Sequence, residues 1–128
     1  MKAVYQISEL PVNGVLVKEE GTLLRVWFDF ESLPIDNKNK DALKDLYSCE
    51  IIDVENSRRY GNIVSGIVTS RYSVDDVQAL MANYTESMDT SSTLLAEKRS
   101  EYIAEYVCFQ NWRKHSKEIA CKVLDELK

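Results

Sequence analysis

A chain of 128 residues has room for one domain with a genuine hydrophobic core, and no room for two. Apolar residues make up 45% and charged residues 29%, near the globular averages, which excludes general disorder. The formal net charge is −5, and residues 1–56 hold eleven acidic against six basic groups, an arrangement that repels phosphate and argues against a nucleic-acid partner.

No apolar run approaches the roughly 20 residues of a membrane span, so no membrane partner is expected. Met1–Gln6 enters a strand-like pattern without the apolar h-region of a signal peptide, and the expected location is cytoplasmic. Cys49, Cys108 and Cys121 are odd in number with no CxxC spacing, which reads as three reduced, small, buried or half-buried hydrophobes.

Residues 3–10 alternate loosely, with Val4 and Ile7 as the apolar members of a first strand. Pro11-Val12-Asn13-Gly14-Val15 predicts a type I′ hairpin turn with Val12 facing Val15, because that turn needs positive φ at both central residues. Pro11 has no N–H for a ladder, which makes strand 1 an edge or a bulged strand. A second strand over 15–19 and a turn at Glu20-Gly21 lead into the clearest element. There Leu24, Val26, Phe28 and Phe30 form a core face, while Leu23, Arg25, Trp27 and Asp29 face away. Residues 32–41 have loop composition, and 41–46 can form one helical turn. A fourth strand follows over 47–55, with Ile52 and Val54 on one side and Cys49, Ile51 and Asp53 on the other.

After residue 57 the apolar period changes from two to 3.6. Tyr60, Ile63, Val64, Ile67 and Val68 mark a helix over 58–71. Gly61 and Gly66 weaken it by about 1 kcal/mol each and offer sites where another element can approach closely. Ser73 and Asp76 form a capping box ahead of a second helix, whose apolar stripe is Val77, Leu80, Met81 and Tyr84. Residues 92–127 contain no Gly and no Pro and read as one long helix, or as two with a kink near 111–116. The fold class is therefore α+β: an N-terminal antiparallel sheet of three or four strands, then three helices, within a single domain spanning 1–128.

The chemistry is sparse. His115 is the only histidine, and with Glu118 at i+3 it supplies two ligands where a closed metal site wants three or four, so it reads as a solvated side chain and no metal is expected. No nucleophile elbow, phosphate loop or dinucleotide fingerprint is present, so no catalytic residue and no cofactor is assigned and the balance leans against an enzyme. Asp75-Asp76 suit the positive end of a helix, and Glu97, Glu101 and Glu105 read as a solvated face. Arg58 and Arg59 at a helix start form a candidate anion site, or else pair with Glu50, Asp53 or Glu55. Trp112 through Lys117 pairs an aromatic ring with basic residues in the manner of single-strand binders, diluted by Glu118.

The last helix carries the strongest inference. Ile103 and Val107 lie off its main apolar stripe, so the stretch from Tyr102 to Phe109 should be covered on more than one side. The stripe breaks from Arg113 to Glu118 and resumes at Ile119. About 35 helical residues span about 52 Å, whereas a compact domain of this size is about 36 Å across. The helix must kink or project. A projecting C-terminal end would need a partner for Trp112, Ile119, Val123, Leu124 and Leu127. The expected function is a non-enzymatic interaction or assembly protein that forms a homo-oligomer through this helix, in character with a structural component of a phage or mobile element. The alternative is a small-ligand or anion-binding domain, or an unrecognised enzyme, centred on Arg58 and Arg59.

Overall fold

The computed structural model describes residues 2–6, 10–32, 46–55 and 59–128. Four antiparallel strands, β1 (Lys2–Gln6), β2 (Val15–Glu20), β3 (Leu23–Ser32) and β4 (Leu46–Glu55), form one sheet in the order β1-β4-β3-β2. Three helices follow: α1 (Tyr60–Arg71), α2 (Val74–Met88) and α3 (Ala96–Glu126). Ile7, Arg58 and residues 41–45 of the turn expected over 41–46 lie outside the described residues, while Leu46 begins β4.

The β2–β3 hairpin closes on Gly21-Thr22, with Glu20 opposite Leu23 and Gly21 at φ 60°. Glycine leads such two-residue loops because it alone adopts positive φ at little cost. The Asn-Gly site behaves differently from expectation. Gly14 has φ 79° but Asn13 does not share the positive region, and the turn hydrogen bond runs from Gly14 N–H to Pro11 C=O. The central pair is thus Val12-Asn13, and no type I′ hairpin forms. Strand β1 crosses to the far edge and pairs with β4, leaving Val12 fully exposed while Val15 is buried.

Alternation along β3 holds through Phe28, and Leu24, Val26 and Phe28 are completely buried. On β4, Ile52 and Val54 lie opposite Val26 and Leu24 on the same face. The register then slips: Phe28 pairs with Glu50 but Glu31 pairs with Ser48, so Asp29 and Phe30 together oppose Cys49. This bulge takes Phe30 out of the core to a half-buried position and sets Asp29 at φ 54°, the single positive φ among described non-glycine residues. Strict alternation turns Asp29 away from the helices. The bulge instead brings its carboxylate to His115 on α3.

Helix α1 lies on β4 through Ile63 and Ile67. A Cβ at Gly66 would stand 2.9 Å from Val54 Cγ2, so that glycine sets the approach distance, whereas Gly61 faces open space. Ser73 and Asp76 complete the expected capping box at α2: each backbone N–H is bonded by the other's side chain at 3.1 Å.

Helix α3 runs unbroken for 31 residues, about 46 Å. It resolves the length mismatch without a kink and at the opposite end from that expected. Phe109, Trp112, Ser116, Ile119, Ala120 and Val123 are buried along one face, and Trp112, Ile119, Ala120 and Val123 join the sheet and α1 in one core cluster. The polar gap does not interrupt this stripe, because Ser116 is small and its hydroxyl donates to Trp112 C=O at 2.8 Å. The N-terminal half of α3 is the part that projects, and α2 packs beside it as an antiparallel hairpin.

Candidate interaction surface

The C-terminal stripe is taken up by the chain's own sheet. Trp112, Ile119 and Val123 are 6%, 3% and 0% exposed, and Leu124 and Leu127 pack against the same cluster. Trp112 lies 6.4 Å from Phe28, ring centre to ring centre, beneath the Arg71 guanidinium at 3.7 Å. Trp112, Ile119 and Val123 therefore belong to the interior, and Leu124 and Leu127 are partly covered by it, so this stripe is largely spent within the chain. The apolar content that needs cover lies elsewhere.

That content lies on the hairpin of α2 and the first half of α3. Only Ser87 is buried along the 15 residues of α2, and no residue of α3 is buried before Phe109. The two helices meet along a seam marked by the stacked rings of Tyr84 and Tyr106, 3.8 Å between centres. Arg99 fixes the closed end. Its guanidinium donates to Ser87 C=O at 2.7 Å and Asp89 C=O at 3.1 Å, and more distantly to Ser92 and Leu94 C=O. A cation on the last carbonyls of a helix is favoured by both hydrogen bonding and the macrodipole.

The hairpin has two flanks. One is a cleft of about 590 Å³ reaching to the end of α1, with Tyr72, Leu80, Ala79, Ala104 and Cys108 on its walls and Arg71, Asp76, Asn83, Glu101 and Glu105 among its polar groups. Three of these charges have local duties: Asp76 caps α2, Glu101 pairs with Lys98 at 3.3 Å, and Arg71 covers Trp112.

The other flank carries no charge where the two helices lie side by side, and Lys114 follows one turn beyond it on α3. At about 100° per residue, Val74, Val77, Gln78, Met81, Thr85 and Met88 share one band of α2. Ala96, Ser100, Ile103, Val107 and Gln110 share the matching band of α3. Of the nine large apolar side chains exposed among the described residues, five lie on or at the end of this hairpin: Val74, Met81, Met88, Leu95 and Val107. Val107 is 48% exposed, so the stretch expected to be covered on more than one side is covered by α2 on one side only.

The remaining candidate residues that are described are not drawn together. Arg59 is the N-cap of α1, exposed, and its side chain makes no capping bond; Arg58 falls outside the described residues. Asp53, one expected partner of the arginines, is held instead by Arg25 in a two-pronged pair at 2.8 and 3.2 Å. That hydrogen bond and charge hold its carboxyl below the usual value. Cys49 is buried as expected and burial pushes its thiol up, but Cys108 and Cys121 are exposed on α3. His115 is half-buried rather than solvated, with Nε2 2.7 Å from Asp29 Oδ1. No spacing rule links residues 86 apart, and only the bulge at Asp29 makes the contact. Among the described residues no three His, Cys, Asp or Glu side chains are arranged to hold a metal ion, and no helix is long and apolar enough to cross a membrane. Compared with protein-family models, curated proteins and solved structures, the chain matches none.

Proposed function

We propose that this chain is a non-enzymatic interaction and assembly protein that pairs with a second copy through the uncharged flank of the α2–α3 hairpin. The observation that carries the reading is the concentration of exposed apolar side chains on a hairpin that buries one residue of α2. Two helices cannot enclose an apolar stripe between them when the stripe is wider than their seam. Two such hairpins related by a two-fold axis can, as a four-helix bundle.

Charge favours a copy of the same chain as the occupant. Each chain is net −5, so two copies repel wherever charged surfaces meet. The flank of Met81, Thr85, Ile103 and Val107 imposes no like-charge contact, and interface cores are depleted of charge in the same way. A basic partner would instead be met by carboxylates, which this flank lacks. The hairpin is long enough for a specific interface: 15 residues of α2 extend about 22 Å, and a specific pair needs to bury about 1,000 Å² in total.

Sedimentation equilibrium of the full chain across micromolar concentrations tests the reading. The expected particle has twice the 14.7 kDa chain mass. A 14.7 kDa particle throughout that range would overturn it.

A further inference from the structure

A second feature lies at the other end of the molecule and is independent of self-association. Between the Pro11–Gly14 turn, the β3 bulge and the C-terminal half of α3 is a cleft of about 230 Å³. Leu10, Phe30 and Ile119 give it apolar walls, and Asp29, His115 and Lys122 give it polar groups.

Only one oxygen of the carboxylate is engaged within the cleft, and the ammonium is not paired with it. Asp29 Oδ1 is bonded to His115 Nε2 at 2.7 Å, which leaves its second oxygen without a protein partner among the described residues. Lys122 accepts a hydrogen bond from Asn13 Nδ2 through its backbone carbonyl at 3.1 Å, but its ammonium makes no ion pair among the described residues. A carboxylate and an ammonium thus share one cleft without neutralising each other. The carboxylate is presented by a residue in the left-handed region, a conformation that costs about 1–3 kcal/mol and is concentrated at ligand and active sites. An apolar chamber with a few convergent polar groups is the usual form of a small-molecule site.

We propose that this cleft binds a small zwitterion of the α-amino-acid class. The ligand's ammonium meets the free oxygen of Asp29, its carboxylate meets Lys122, and its apolar side chain lies among Leu10, Phe30 and Ile119. His115 is a positioning residue that holds the Asp29 carboxylate. Size agrees: at about 30 Å³ per water in the liquid, the volume of about 230 Å³ corresponds to roughly eight waters, close to the size of leucine. A ligand with one charge leaves the opposite group of the cleft unmet.

His115 is the sole histidine, so its ring Cε1 proton is a single resonance that reports on this cleft alone. The full chain is titrated at pH 7, in phosphate-free buffer, with leucine, with 4-methylpentanoate (no amine) and with 3-methylbutylamine (no carboxylate). The expected result is a saturable shift of the His115 signal by leucine, with both analogues weaker by about tenfold or more, the loss of one charge-assisted hydrogen bond. Lys122→Met, a change at an exposed position that leaves the Asn13 contact to the backbone intact, should reduce leucine binding to the level of the amine. No saturable shift up to about 50 mM leucine would overturn the proposal. So would an analogue that binds as tightly as leucine, or undiminished binding to Lys122→Met.

Discussion

Between Phe109 and Val123, α3 buries six side chains against the sheet and α1, while between Ala96 and Cys108 it buries none. Both halves have large apolar residues at helical spacing: Trp112, Ile119 and Val123 in one, Tyr102, Ile103, Tyr106 and Val107 in the other. What separates them is what stands opposite. The C-terminal half faces β2, β3 and α1, which present Val15, Leu24, Val26, Phe28, Ile63 and Ile67 and together are wide enough to cover the stripe. The N-terminal half faces one helix of similar width, which covers the seam and leaves a flank on each side. An amphipathic stripe therefore states how much cover a helix needs, and the breadth of its neighbour decides whether the chain supplies that cover itself.

This contrast breaks most sharply under charge insertion. Val123→Asp places an unpaired carboxylate in the core and should abolish folding, a loss above about 4 kcal/mol. Phe28→Ala should cost about 3–5 kcal/mol for the same region. Both are measured by urea denaturation followed by circular dichroism. The equivalent insertion in the projecting half, Val107→Asp, should leave the stability of the single chain within about 1 kcal/mol. A folded Val123→Asp, or an unfolded Val107→Asp, would reverse the assignment of the two halves.

Helix α1 offers the same contrast on a smaller scale. Gly66→Ala should destabilise by about 1–3 kcal/mol, since the new Cβ meets the stiff, β-branched Val54 at 2.9 Å. Gly61→Ala, in open space, should stabilise by up to about 1 kcal/mol through helix propensity. Thermal melts of the two variants should move in opposite directions.

At the bulge, Asp29→Ala and Asp29→Gly both remove the hydrogen bond to His115, but only alanine keeps the left-handed strain. Asp29→Gly should be the more stable of the two by about 1 kcal/mol. Equal losses in urea would show that the strain is negligible. The smallest effect belongs to Asp53, whose folded carboxyl is held below its ordinary value by Arg25. The contribution of the pair is complete above the unfolded aspartate pKa, near pH 4, and is lost as pH falls through the lower folded value. The denaturation midpoints of Arg25→Gln and the parent chain should therefore converge on acidification, and a constant gap would count against the pair.

Much of this architecture is legible in the residues because local rules and tertiary packing agree. Alternation from Leu24 to Phe28, the Ser73–Asp76 capping box and the 3.6-residue period from Tyr60 to Val68 each specify their element. Three features were not legible, each for a physical reason. The Asn-Gly turn is set by where β1 finds a partner, across the sheet on β4, and short-range chemistry does not encode that choice. The Asp29–His115 contact depends on one extra residue in β3, which reverses the expected facing and brings together groups 86 positions apart. The polar gap of α3 concealed the continuity of the core stripe, because Ser116 can be buried once its hydroxyl bonds the preceding turn. That gap made the C-terminal end look like a separate docking segment, and the true surplus of apolar surface went to the hairpin.

If the uncharged flank of the hairpin joins two copies, charge placed on that flank should separate them. The most direct measurement is the solution mass of the Met81→Asp, Val107→Asp double variant beside the parent chain, by light scattering at equal concentration with circular dichroism as the control for folding. The expected values are twice the chain mass for the parent and the single-chain mass of 14.7 kDa for a variant with unchanged helix content. A folded variant that keeps the parent's oligomeric mass would contradict pairing through this flank.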